Sequence, residues 1–108
     1  MLASKEQITG NYYLIERDDG AYDICYKVDG SYMGRNASNS KVVAYAIEDS
    51  IMVIKSQDYQ SDIVFYVLNM NRDNGYSKNE EIYLDTIPER LFKKSWVDKN
   101  GYKFIPVR

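Results

Sequence analysis

The fold is decided by residues 41–55, which read KVVAYAIEDSIMVIK. Two apolar runs, 42–47 and 51–54, are separated by residues 48–50, a link short enough to join two strands into an antiparallel hairpin. In the first run both the odd and the even positions are apolar, so a strand there has an apolar face on either side. Strands of this kind lie in the middle of a sandwich, or between a sheet and a covering helix. The stretch therefore predicts the centre of a β-rich domain.

Further strands are predicted on both sides of this hairpin. Positions 22–28 alternate between apolar and more polar side chains, which indicates a half-buried strand. Residues 12–17 form an apolar and aromatic run before it, and the turn residues 18–20 favour a hairpin between the two. Downstream, residues 63–70 are apolar on both faces, like the first strand of the central hairpin.

The period of the pattern changes after residue 84. Thr86 and Glu89 fit a capping box, and Pro88 is tolerated in the first turn of a helix. We therefore expect a helix of about two to three turns that ends at Asn100-Gly101. A last short strand is expected over residues 102–105.

Together these patterns predict a mainly β fold with antiparallel strands. The expected architecture is a sandwich or a partly open barrel of roughly six to eight strands, with one short C-terminal helix. Residues 1–9 are expected to be a flexible N-terminal segment, and residues 10–108 a single domain.

Composition limits the chemistry that this chain can perform. Its 108 residues include no His and one Cys, and the formal net charge is −2. Without His neither a Ser-His-Asp triad nor a Cys-His pair can form, and Cys25 lies in a predicted strand, where an inert thiol is expected. We therefore predict no enzyme, no catalytic residue, no metal and no other cofactor. The charge argues against a nucleic-acid partner, and no apolar run approaches the ~20 residues of a transmembrane helix.

Neighbouring carboxylates are the remaining candidates for acid–base chemistry. They occur as pairs at positions 18–19, 48–49 and 80–81, all in predicted turns or loops, where hydrated carboxylates are expected. Glycoside hydrolysis needs two carboxyl groups about 5–10 Å apart, one of them shielded from water. Residues 69–75 have side-chain oxygens before Gly75 and faintly resemble the start of a calcium loop, but an Asn-Gly turn in an exposed, mobile loop is the better interpretation.

Tyrosine is the most suggestive residue type, with eleven copies among the fifteen aromatic residues. Exposed tyrosines stack on sugars or bases and anchor protein interfaces. Tyr12 and Tyr13 fall on opposite faces of their strand, so one of them is expected to point outward. The candidate ligand- or partner-binding residues are Tyr13, Tyr32, Tyr59 and Tyr76. Core positions are expected instead for Tyr22, Tyr26, Tyr45 and Tyr66.

A wider pattern accompanies these features. The chain has GNYYLI at 10–15, VVAYAIEDSIMVIK at 42–55 and FYVLN at 65–69, followed by the helix predicted after Thr86. Over about residues 10–96 this arrangement resembles a set of uncharacterised small bacterial proteins, many of them secreted or lipid-anchored. The resemblance implies an envelope-associated β domain of unknown function with no catalytic residues to carry over. The chain departs from the lipid-anchored members because it lacks an export signal with a Cys that can be lipidated. Cys25 lies within a predicted strand and cannot play that part.

The leading functional hypothesis is a non-enzymatic binding or interaction domain, of bacterial origin, that presents a tyrosine-bearing face or loop to a protein or a glycan. The alternatives are an acidic inhibitor or immunity-type protein that covers a partner, and a small carboxylate-dependent hydrolase. Residues 1–7 lack the basic start and apolar core of a signal peptide. The location is therefore left open: cell envelope or exterior if an export signal has been removed, cytoplasm otherwise. The oligomeric state is also left open.

Overall fold

The computed structural model describes residues 4–107, which form two antiparallel sheets. In spatial order, the first sheet consists of β1 (Lys5–Thr9), β2 (Tyr12–Glu16), β3 (Tyr22–Val28) and β4 (Ser31–Gly34). The second sheet consists, from edge to edge, of β8 (Tyr83–Pro88), β7 (Ile63–Asn69), β6 (Ile51–Asp58), β5 (Ser40–Glu48) and β9 (Ile105–Pro106). The predicted mainly β, antiparallel fold is confirmed, and the two sheets pack as a sandwich.

The central hairpin forms where the sequence predicts it. Strands β5 and β6 pair with Glu48 opposite Ile51, and Asp49 completes the turn with a φ of 54°. The side chains of Met52 and Ile54 point into the core between the two sheets, and Val53 points to the opposite face. Both faces of the five-stranded sheet are therefore packed, as the apolar runs indicated.

Two clusters of buried side chains hold the layers together. The cluster between the two sheets consists of Tyr12, Leu14, Ile24, Val42, Met52, Ile54, Leu68 and Ile82. The cluster on the other face of the five-stranded sheet consists of Ala46, Val53, Phe65, Val67, Ile87 and Val97. The tyrosines expected in the core, Tyr22, Tyr26, Tyr45 and Tyr66, are partly buried and pack against the first cluster. The C-terminal segment thus forms a third layer on the five-stranded sheet.

The C-terminal segment differs from the single helix that the sequence predicts. The capping box does not form, because Thr86 lies within β8 and pairs with Tyr66 of β7. A first one-turn helix, α1 (Asn79–Ile82), precedes β8, and two further one-turn helices follow it, α2 (Glu89–Phe92) and α3 (Trp96–Lys99). The helix is interrupted because Ser95 has an extended backbone and its side chain caps the second turn by accepting from the Asp98 amide. The predicted last strand shrinks to β9.

The N-terminal stretch 1–9 also differs from prediction. Where the sequence predicted a flexible segment, the structure has β1, which pairs with β2 from Lys5 opposite Ile15 to Thr9 opposite Tyr12. Residues 1–3 of that stretch lie outside the described residues. The strand lacks an alternating pattern because it is an edge strand whose residues are mostly exposed, and only Ile8 packs against the core.

Candidate functional site

The outer face of the four-stranded sheet is bare of helices and strands within the part of the chain that the structure describes, residues 4–107. The side chains of Tyr12, Leu14 and Ile24 point into the core, so their neighbours along β2 and β3 point outward. The outer face of the five-stranded sheet, by contrast, is covered by the C-terminal layer. As expected for adjacent strand residues, Tyr12 is buried and Tyr13 faces outward.

Two of the four candidate tyrosines meet on this bare face. Tyr13 pairs with Cys25 and Tyr32 pairs with Lys27, so the two rings approach each other diagonally across β3. Their ring centroids are 5.6 Å apart with an interplanar angle of 83°, an edge-to-face contact. Such pairs contribute about 0.5–1.5 kcal/mol beyond the area they bury. The two half-buried rings therefore form one preorganised unit.

Two lysines flank these rings. The Nζ atom of Lys5 lies 4.9 Å from the centroid of the Tyr32 ring. The Nζ atom of Lys27 lies 5.8 Å from the centroid of Tyr13 and 5.9 Å from that of Tyr32. Among residues 4–107 every ion pair uses an arginine, so neither ammonium group has a carboxylate within 4.0 Å. Lys5, Tyr13, Lys27 and Tyr32 are called the Tyr–Lys face below.

Cys25 lies under this face and is a poor nucleophile. It is buried in the middle of β3, directly opposite Tyr13. Burial, and to a smaller extent the negative charge of Asp23, raises the pKa of the Cys25 thiol to about 11. The thiol is therefore neutral near pH 7, and the neighbouring Lys27 does not activate it.

Tyr59 lies elsewhere, in the turn between β6 and β7. Its side chain is 78% exposed, and it stands at the rim of an open groove of about 600 Å³. The groove is lined by the start of β5, the end of β6 and the loops beside them, together with Arg17, which follows β2. Tyr59 therefore belongs to a second surface, which the Tyr–Lys face does not include.

Tyr76 lies in the loop between β7 and β8. Its side chain is 66% exposed, and its hydroxyl group contacts the Asp29 carboxylate in the turn between β3 and β4. Among the ring contacts within residues 4–107, none joins Tyr76 or Tyr59 to the pair formed by Tyr13 and Tyr32. The four tyrosines predicted as binding residues thus divide between three places on the surface.

The most elaborate polar arrangement in the structure is buried. Arg35 donates from Nε to Asp73 Oδ2 at 2.6 Å and from Nη2 to Oδ1 at 2.8 Å. The Tyr12 hydroxyl also donates to Oδ2, at 2.8 Å, and the Gly75 amide donates to Oδ1 at 2.9 Å. The Arg35 and Asp73 side chains are 3% and 0% exposed. This network ties the first sheet to the loop that follows β7.

The sequence reasoning missed this network because Asp73 lies in a polar stretch predicted as an exposed, mobile loop. That expectation is wrong for Asp73 and Gly75, which are both buried. The pairing of an Arg just after a strand with an Asp in a distant loop leaves no spacing signal in a single sequence. Arg35 and Asp73 are 38 positions apart.

The buried carboxylate is saturated with hydrogen bonds. Burial by itself raises the pKa of Asp73, but the hydrogen bonds from Arg35, Gly75 and Tyr12 outweigh it and hold that pKa below its usual range. Burial and the contact with Asp73 raise the pKa of Tyr12. Both groups therefore keep their charge states at neutral pH, and the arrangement acts as a structural clamp rather than as a proton donor or acceptor.

The carboxylate pairs that the sequence singles out lie at the surface. All six residues of the pairs at 18–19, 48–49 and 80–81 are exposed. In the stretch that faintly resembles a calcium loop, Asn69 and Asn74 accept hydrogen bonds from main-chain amides, and Asp73 is held by Arg35. The described residues contain no group of three or more His, Cys, Asp or Glu side chains that could hold a metal ion.

None of the helices within residues 4–107 has the length and apolar character needed to cross a membrane. Comparison of the chain with protein-family models, with curated proteins and with solved structures finds no match.

Proposed function

We propose that this chain is a non-enzymatic binding domain, and that its Tyr–Lys face holds an acidic segment of a protein partner. The observation that carries the proposal is the pair of half-buried tyrosines between two lysines that have no carboxylate partner, on the one sheet face left bare among residues 4–107. The resemblance to small bacterial envelope domains implies a β domain of unknown function with no catalytic residues to carry over, and it belongs to this proposal.

The aromatic part of the face supports a protein interface. Tyrosine buries a large area on binding while losing little conformational entropy, because its side chain has only two rotatable angles. Tyr13 and Tyr32 already restrain each other through their edge-to-face contact. A partner therefore meets rings whose orientation is set in advance, which lowers the cost of ordering them.

The charges on the face support an acidic partner. Lys5 and Lys27 each lie within 6 Å of a tyrosine ring centroid, so their ammonium groups are held near the rings. The protein as a whole has a net charge of −2, which makes this face a local exception. A carboxylate that docks between the lysines gains two ion pairs and meets apolar ring surface beside them. Complementary charges of this kind set specificity and association rate.

The experiment uses two matched pairs of lysines. A fluorescein-labelled peptide of alternating Glu and Leu is titrated with the protein, and binding is followed by fluorescence anisotropy. The variants are Lys5→Ala/Lys27→Ala and, as a control with the same change in net charge, Lys93→Ala/Lys94→Ala on the exposed side of the C-terminal layer. We expect about a tenfold loss of affinity for the first pair and less than about twofold for the second.

Two further results test the same reasoning. The Tyr13→Ser/Tyr32→Ser variant is expected to lose affinity for the peptide by a similar factor, although it leaves every charge in place. Raising the salt concentration is expected to weaken peptide binding by the wild type more than by the Lys5→Ala/Lys27→Ala variant. Added salt shortens the Debye length, which is about 8–10 Å at 0.1–0.15 M salt, and so weakens the attraction between exposed charges. Equal losses for the two lysine pairs, or no binding of the acidic peptide by the wild type, would overturn the proposal.

A further inference from the structure

The groove beside Tyr59 lies apart from the Tyr–Lys face, with which it shares no residue. Its floor comes from paired strand ends, because Ser40 lies opposite Asp58 and Lys41 lies opposite Gln57. Its walls come from residues 38–39 and from the turn after β6. The groove is open to solvent and has a volume of about 600 Å³.

Internal hydrogen bonds fix both walls of the groove. On one side, the buried side chain of Asn36 accepts from the Ile24 amide at 3.0 Å and donates to Asp23 at 2.9 Å. Ser40 Oγ donates to the Ala37 carbonyl at 2.7 Å, which closes the small loop before β5. The groove therefore has little conformational freedom to lose on this side when a ligand binds.

The opposite wall is the turn that carries Tyr59. Asp58 Oδ1 accepts from the amides of Gln60 and Asp62, both at 2.9 Å, and so holds the turn in one conformation. Ser61 has a φ of 69°, a left-handed conformation that costs energy for a residue with a side chain. The turn is thus held in a shape that keeps the Tyr59 ring at the rim of the groove.

All nine residues that line the groove have polar side chains. Within residues 4–107 five of them make no hydrogen bond to the rest of the protein: Ser38, Asn39, Lys41, Gln57 and Ser61. Between them they offer hydroxyl groups, amide donors and acceptors, and one ammonium group. This mixture suits a ligand that both donates and accepts hydrogen bonds along its length.

The charges of the groove exclude a strongly ionic ligand. The Arg17 guanidinium is already used, since it donates to Asp23 at 2.9 Å, to the Ser40 carbonyl at 2.7 Å and to Asp19. The remaining charges, on Lys41 and Asp58, are opposite in sign and lie on adjacent strand ends. The best complement is a neutral molecule rich in hydroxyl groups, with a C–H face to lie on the exposed ring of Tyr59.

From these observations we infer that the groove binds a neutral oligosaccharide, with Tyr59 as the stacking platform and Asn39, Lys41 and Gln57 as hydrogen-bonding residues. The site is separate from the Tyr–Lys face and does not depend on it. The protein proposed to bind an acidic partner on one sheet therefore has a sugar site at the sandwich end.

The test is a titration of the isotope-labelled protein with three neutral trisaccharides, maltotriose, cellotriose and chitotriose, followed by amide chemical shifts. We expect saturable shifts confined to residues 38–41 and 57–61 for at least one sugar, with a Kd of about 1 mM or below. Tyr59→Ala is expected to raise the Kd for that sugar at least tenfold, and Gln57→Ala is expected to raise it several-fold. Tyr76→Ala, which removes another exposed tyrosine, is the control and is expected to leave the Kd unchanged.

Several outcomes would overturn this inference. They are the absence of shifts in the groove with all three sugars, shifts that map to Tyr13 and Tyr32 instead, and equal losses for Tyr59→Ala and Tyr76→Ala. Stronger binding of inorganic phosphate or of glucuronic acid at the groove would identify an anion site and would also refute it. None of these outcomes alters the lysine-pair experiment on the other face, so the two proposals succeed or fail separately.

Discussion

Replacing Asp73 with Asn tests whether the buried clamp holds the two sheets together. The substitution keeps the size of the side chain but removes its charge and one of its two acceptor oxygens. The carboxylate receives hydrogen bonds on both oxygens, from Arg35 and Tyr12 on one and from Arg35 and Gly75 on the other. Whichever way the amide is turned, its NH₂ group faces two of these donors, and the Arg35 charge stays buried without a counter-charge.

The expected loss is large. Removing one partner of a buried ion pair costs about 3–5 kcal/mol, because the other charge is left uncompensated. Domains of this size unfold with a free energy of about 5–15 kcal/mol, so Asp73→Asn removes a substantial part of the total. The corresponding fall in Tm is more than about 10 °C. Tyr12→Phe, which deletes a single hydrogen bond to the carboxylate, is expected to cost about 1.5–3 kcal/mol.

Urea unfolding followed by far-UV circular dichroism gives the free energy of unfolding for each variant. Asp18→Asn is the matched control, because Asp18 is exposed in the turn between β2 and β3 and makes no side-chain ion pair within the described chain. It is expected to change stability by no more than about 0.5 kcal/mol. A loss below about 1 kcal/mol for Asp73→Asn, or equal losses for both variants, would refute the clamp.

The pH dependence provides a second check with a definite sign. The pKa of Asp73 is lowered in the folded protein, so the ionised form favours the folded state. Its contribution is complete above the unfolded pKa, about 3.9, and is lost as the pH falls below that value toward the folded pKa. We expect the stability difference between wild type and Asp73→Asn to narrow below about pH 4. A difference that stays constant down to pH 2 would contradict this linkage.

Two further predictions concern the interior. Gly75→Ala is expected to lower the free energy of unfolding by about 1–3 kcal/mol in the same urea assay, because a Cβ there would lie 2.6 Å from Val28 Cβ. Gly10→Ala is the control, because Gly10 also has a positive φ but has open space around it, so the comparison separates steric conflict from backbone strain. Equal losses for the two variants would contradict the packing argument. Cys25 is expected to react with iodoacetamide at pH 8 at least tenfold more slowly in the folded protein than in urea, and equal rates would show that the thiol is not buried.

The strands with an apolar pattern could be predicted from the sequence. The alternation over 22–28 and the two-sided apolar runs at 42–47 and 63–70 each correspond to a strand of the structure. These signals are local, because burial on one or both faces is imposed on every second residue. The edge strand β1 has no such signal, since solvent tolerates any side chain along most of it. An edge strand whose side chains are mostly exposed, such as β1, therefore lacks the alternation that would predict it.

The C-terminal segment shows how a local signal can be overridden. Thr86 and Glu89 have the spacing of a capping box, but pairing with β7 keeps Thr86 in a strand. The segment after β8 instead packs on the sheet as two short turns, through Phe92 and Val97.

The candidate sites were only partly predictable. Tyr13, Tyr32 and Tyr59 could be named because a tyrosine outside the core pattern is visible in the sequence. That Tyr13 and Tyr32 meet depends on the registers of two hairpins, and Lys5 joins them through a strand that was not predicted. The clamp of Arg35 and Asp73 depends on a long-range contact that no local pattern encodes.

The third layer has a consequence for the biosynthesis of this protein. The outer face of the five-stranded sheet, with Val53 and Val67, is translated before Phe92, Val97 and Phe104, which cover it. The edge strand β9, which closes that sheet against β5, is translated later still. A nascent chain that has been synthesised only as far as β8 therefore exposes an apolar sheet face and an unpaired strand edge. Such surfaces aggregate or bind chaperones. The nascent chain is therefore protected from aggregation only when the C-terminal segment has packed on the sheet, and not already when the central hairpin has formed.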